Sequence, residues 1–183
     1  MTNIPSFSTE RLLLRPITLA DAPAIQAQFN DYAIISELAA RVPWPYPPDG
    51  ALTHITTTLA KQGQNHWSWA ITLHENPEWL IGAIDLWRNP AITENRGFWL
   101  ARAHWGNGYM TEATTAITDY AFDELGFDSL ILSNALGNFR SRRVKEKAGA
   151  ILLRTEPATF INPAYTHREI WELTKSAWQS RPT

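Results

Sequence analysis

The chain has 183 residues, the usual size of one domain, and no cysteine, which excludes disulfides, thiolate metal sites and a cysteine nucleophile. Sixteen Lys and Arg against eighteen Asp and Glu leave a formal net charge of −2, too small an overall field to draw in a nucleic-acid backbone. Met1-Thr2-Asn3-Ile4-Pro5-Ser6 has neither a basic start nor an apolar run, and no stretch approaches the roughly 20 apolar residues of a bilayer span. The expectation is one cytoplasmic domain over residues 1–183, monomer or homodimer, with no membrane, nucleic-acid or metal partner.

Glu10-Arg11-Leu12-Leu13-Leu14-Arg15-Pro16-Ile17 reads as a strand ended by proline, and Ala24, Ile25, Gln28 and Phe29 then recur at helical spacing. Between Val42 and Gly50 four prolines in nine residues forbid a helix interior or central strand, so a stiff loop is predicted, followed by a helix from about Ala51 to Gln62. Trp67–Thr72, Trp79–Trp87 and Arg96–Ala101 read as strands. Short turns such as Glu75-Asn76-Pro77 and Arg88-Asn89-Pro90 favour an antiparallel meander. Ala113, Ala116, Ile117, Tyr120, Ala121 and Leu125 place a helix over about Asn107–Leu125. Ser129–Ser133 is a strand, Asn138 caps a helix that stops at Gly149, and Ala150–Arg154 and Arg168–Leu173 complete the sheet. The class is α+β with a mixed, mostly antiparallel sheet. Nine tryptophans are many for this length; about two-thirds are expected in the core, with Trp44 first among the exceptions.

Trp105-Gly106-Asn107-Gly108-Tyr109-Met110-Thr111-Glu112-Ala113 carries the chemistry. A glycine turn opening a helix presents backbone N–H groups and a partial positive charge, which together bind phosphate. Taken alone, Gly106-Asn107-Gly108 reads equally as a hairpin turn. The helical period after Gly108 argues for the cradle. Neither a P-loop nor a dinucleotide fingerprint fits, for Gly-Lys-Ser/Thr and the third glycine are both missing.

These segments resemble the GNAT superfamily of acyl-CoA-dependent N-acyltransferases, and within it the RimJ/RimL-like branch. Thr9–Arg15 is similar to that branch's opening strand, Pro43-Trp44-Pro45-Tyr46 to its proline-rich loop and Gly97-Phe98-Trp99-Leu100 to its fourth strand. Trp105–Ala113 is similar to the pyrophosphate motif, and Asn138-Phe139-Arg140-Ser141 with Val144, Glu146, Lys147 and Gly149 to the helix along the pantetheine arm. Two places depart from the pattern. Ala103 stands where Gln or Arg usually opens the motif, and Asn95, beside Glu94, where relatives often carry a glutamate.

The resemblance implies a twisted sheet of about seven strands flanked by about four helices, with strands four and five splayed to admit acetyl-CoA. It implies acetyl transfer to a primary amine, a small molecule or a peptide N-terminus, without a metal; the alternative is an acyl-CoA-binding protein with little catalysis. Trp105, Gly106, Asn107, Gly108, Tyr109, Met110 and Thr111 would then bind the coenzyme, its pyrophosphate on the N–H groups around Gly106 to Met110. N–H groups near Trp99 and Leu100 would face the thioester carbonyl, and Arg142 and Arg143 the adenosine phosphates, the helix's other basic residues facing water. Ser141 is the candidate general acid towards the leaving thiolate, although a serine there also bonds its own helix turn. Asn138 would touch pantetheine while capping that helix. Trp44, Tyr46 and Asp85 are assigned to the acceptor side. Asp85, Glu94, Glu112, His104 and a water chain all stay open as the proton acceptor.

Overall fold

The computed structural model describes residues 4–88 and 94–181. Asn89 and Pro90 of the expected turn lie outside them. A short strand β1 (Phe7–Ser8) pairs with β2 (Leu12–Pro16), which leads into α1 (Ala22–Gln28), α2 (Tyr32–Ile35) and, after the proline-rich loop, α3 (Gly50–Leu59). The meander follows as β3 (His66–Leu73), β4 (Asn76–Trp87) and β5 (Arg96–Leu100). Then come α4 (Tyr109–Asp123), β6 (Ser129–Ala135), α5 (Phe139–Lys147), β7 (Ile151–Pro157), β8 (His167–Thr174) and α6 (Lys175–Gln179).

The strands divide into two sheets, ordered β1-β2-β3-β4-β5 and β6-β8-β7, and every ladder among the described residues is antiparallel. Strands four and five of the expected count are β5 and β6, because β1 adds one. Just before β5 the two are joined at Asn95. Asn95 N–H donates to the Ile131 carbonyl at 2.7 Å, and Ile131 N–H donates to Asn95 Oδ1 at 2.8 Å. Beyond that seam no ladder joins β5 to β6, so the two sheets diverge around a cleft.

Alternation along β3 explains the layers. Trp67, Trp69 and Ile71 point to a core shared with Ile84, Ile117 and Phe122, which packs under α4 and α5. Ala70 points the other way, to Ile25, Ile55 and Phe29 of the α1 and α3 layer. Both faces of the larger sheet are therefore covered, and a central residue such as Ile84, fully buried, contributes about 2–3 kcal/mol by leaving water. Of the tryptophans, Trp67, Trp69, Trp171 and Trp178 are buried, fewer than expected, whereas Trp44 and Trp79 are exposed.

Candidate active site

The cleft holds about 1800 Å³ and is bounded by β5 and β6, the start of α4, the first turns of α5 and the proline-rich loop. Its most distinctive wall is the glycine turn. Gly106 and Gly108 both have φ near +80°, at +81° and +82°, a conformation that costs an L side chain about 1–2 kcal/mol. A Cβ on Gly106 would stand in open space, so the backbone there is accessible from the cleft. Gly108 is the N-cap of α4 and brings no capping side chain, which leaves the leading N–H groups of this fifteen-residue helix for a ligand.

An arginine from the bend between β1 and β2 holds that turn. Arg11 Nη1 donates to the Asn107 carbonyl at 2.9 Å and Arg11 Nε to Glu112 Oε2 at 2.8 Å, while its guanidinium lies 4.7 Å from the Tyr109 ring centre. Glu112 also accepts from Thr9 Oγ1 at 2.6 Å and from Arg11 N–H at 2.7 Å. Burial pushes the Glu112 carboxyl up, but these hydrogen bonds outweigh it and hold the group below the usual range. Glu112 is thus a fixed anion that braces the turn, not an open proton acceptor.

The register of β5 sorts its N–H groups. Ala101 N–H donates to the Ile81 carbonyl at 2.8 Å, so Trp99, two residues earlier, also faces β4. Phe98 and Leu100 face the other way, into the cleft. Leu100 N–H therefore fits the expected role and Trp99 N–H does not, being committed to the ladder. Trp105 Nε1 donates to the Leu100 carbonyl at 2.7 Å and fixes the strand end against the turn.

Asn138 Oδ1 accepts from Ser141 N–H at 3.0 Å, the expected cap of α5, and both residues line the cleft. Arg143 lines it too. Arg142 does not: it is drawn to the buried Glu169 at 3.0 Å and to Glu146 at 2.8 Å on another face of the helix. Lys145, expected in water with the other basic residues, is only 1% exposed, because it shares the inward helical face of Ser141, Val144 and Ala148. Its Nζ donates to Ser141 Oγ at 2.9 Å. Arg140 crosses the mouth of the cleft, 3.1 Å from Glu37 and 4.1 Å from the Trp105 ring centre.

On the other side, Tyr46 is buried edge-on against Phe29 with ring centres 4.9 Å apart, and lines the cleft. Trp44 lies outside that wall and packs on Tyr32, and Asn107 is outside it as well, since its amide turns back to the His104 and Trp105 carbonyls. Asp85 accepts from His66 Nε2 at 2.9 Å in the tautomer protonated there. Glu94 is bonded by Ser133 Oγ and has Arg41 and Arg168 at 3.6 and 3.7 Å. Asn95 is consumed by the seam. Glu94, Asp85 and His104 are the proposed proton acceptors that remain in the cleft wall.

A family model described as an acetyltransferase (GNAT) domain matches residues 11–151. The chain belongs to this GNAT family. Probable N-acetyltransferase YjcK of Bacillus subtilis (strain 168) is 41% identical over 73 residues, 38% of this chain and 40% of that protein. The matches to curated relatives cover 31%, 40% and 46% of those proteins' lengths, less than half of each. The GNAT fold extends over nearly the whole chain. Ribosomal-protein-S5-alanine acetyltransferase from Vibrio fischeri superposes with a TM-score of 0.79 at 19% identity, covering 97% of this chain and 100% of that one. Mycobacterium smegmatis RimJ in complex with CoA-disulfide superposes at 0.78 and 15% identity, covering 93% of this chain and 87% of that one. Among the described residues no helix is long and apolar enough to cross a membrane, and no cluster of His, Asp and Glu could hold a metal ion.

Proposed function

We propose that this GNAT protein transfers an acetyl group from acetyl-CoA directly to a primary amine in the cytoplasm, a protein or peptide N-terminal amine being the acceptor class favoured by its RimJ/RimL-like features. The observation that carries the reading is one continuous cleft. It joins an accessible glycine turn at a helix N-terminus, cleft-facing N–H groups on a splayed strand, and a capped serine on the opposite helix.

The residues present fit the coenzyme. Gly106, Gly108 and the N–H groups opening α4 would hold the pyrophosphate, with Arg143 towards the adenosine phosphates. Bound acetyl-CoA supplies an activated thioester. Leu100 N–H, free of the ladder, is placed to donate to the oxygen that gains charge at the thioester carbon, a contribution of about 3 kcal/mol per donor at such sites. Ser141 gives a proton to the departing thiolate. With no cysteine in the chain, attack by the amine itself is the simplest route, and holding both reactants in the cleft supplies much of the acceleration. Tyr46, Asp85 and Glu94 stand on the acceptor side. Purified protein should be stabilised against heat by acetyl-CoA and should release free coenzyme thiol with members of an amine and N-terminal peptide panel. Stabilisation with no release across the panel would instead mark a coenzyme-binding protein.

A further inference from the structure

Lys145 sits one helical turn after Ser141, so the two side chains lie on the same face of α5. Its Nζ donates to Ser141 Oγ at 2.9 Å and to the Ser141 carbonyl at 3.3 Å. An ammonium has donors only. With Lys145 protonated, Ser141 Oγ accepts from it, and the serine's own O–H is directed elsewhere, with the cleft on its open side.

The surroundings make this lysine unusual. Among the described residues no carboxylate lies within ion-pair distance of Lys145, while Phe98, 5.6 Å from Nζ, also lies under the buried Arg96 guanidinium at 5.9 Å. Glu169 of β8 and Glu94 attract the ammonium from farther away, and Arg96 of β5 repels it. Burial first, then Arg96, bring its pKa well below the usual lysine range despite those carboxylates. A buried cation with no ion-pair partner is costly, and a methionine would fill the same space at lower cost.

Resting on the acetyltransfer reading above, we propose that Lys145 is a positioning residue for Ser141 and the proton source behind it. The departing thiolate takes the Ser141 Oγ proton as the carbon–sulfur bond breaks. Ser141 Oγ takes one from Lys145 Nζ, leaving a neutral amine. The attacking amine sheds one proton to water in the cleft, and after the product thiol leaves, water returns one to Lys145 through the same hydroxyl. Protons balance, and nothing is oxidised or reduced.

The experiment uses the full chain and its Lys145→Met, Lys145→Gln, Ser141→Ala and Ser141→Ala/Lys145→Met variants, after thermal melts show which are folded. With an acceptor from the panel, Lys145→Met should lower kcat about tenfold or more, leave KM for acetyl-CoA within about twofold, and shift the pH profile. The double variant should be no slower than the slower single one. Lys145→Gln, which keeps an N–H donor but supplies no proton, should also be slow. Independently of any acceptor, the thiol of bound CoA, followed by thiolate absorbance, should titrate at lower pH in the wild type than in Lys145→Met. Unchanged kcat, strictly multiplicative losses in the double variant, or identical thiol titrations would each overturn the proposal. Failure of the wild type to bind CoA would be seen before any Lys145 comparison, and would remove the acetyltransfer reading and this inference with it.

Discussion

Asn95 and Ile131 exchange two hydrogen bonds, backbone N–H to carbonyl at 2.7 Å and backbone N–H to Asn95 Oδ1 at 2.8 Å, and so pin the two sheets where the cleft begins. Asn95→Ala leaves the partly buried Ile131 N–H without its partner. A loss of about 1–3 kcal/mol in urea unfolding is expected, with weaker acetyl-CoA binding as the seam loosens. A variant as stable as the parent would show that the seam is held elsewhere.

The glycine turn separates affinity from stability. A Cβ on Gly106 meets no protein atom within 4 Å, so Gly106→Ala incurs only the positive-φ penalty of about 1–2 kcal/mol. The new methyl would stand where the pyrophosphate is expected, and calorimetry should show acetyl-CoA affinity falling about tenfold or more. Unchanged affinity would move the coenzyme away from this turn.

The Glu112 brace gives stability an acid limb. Its carboxyl titrates below 4.5 in the folded chain, so its contribution is complete above about 4.5 and is lost as pH falls through the lower folded value. Glu112→Gln should be less stable than the parent in urea at about pH 7, and the gap should narrow as pH falls towards about 3. An equal gap at both pH values would contradict the brace.

Lys145 gives the opposite limb. Its pKa is lower in the folded chain than the ordinary 10.5, so the folded state binds fewer protons and stability rises with pH up to that value. Lys145→Met should therefore melt higher than the parent at about pH 6, with its advantage shrinking towards about pH 10. A constant difference across that range would mean the lysine does not titrate there.

Local signals were readable without coordinates. Helical spacing after Gly108 distinguished a helix start from a hairpin, and Asn138 is the N-cap of α5, because both depend on residues within one or two turns. Lys145 had a legible signal too: it falls on the face of Ser141, Val144 and Ala148, although a single lysine in a basic helix reads as solvated. Arg11 and Glu112 had none, being 101 positions apart. The loss of Trp99 N–H to the ladder required the register of β4 against β5, which alternation in one strand does not define.

By itself, then, the sequence determined the order of elements, the meander, the α+β class, the glycine turn and the serine helix behind it, since periodicity, proline and glycine act over a few residues. The tertiary structure alone decided that the sheet divides at Asn95 and Ile131, that Arg11 holds the glycine turn through the Asn107 carbonyl, and that Lys145 is buried against Ser141. Those contacts depend on which distant surfaces the packed layers bring together, and desolvation then changes what the same side chains can do.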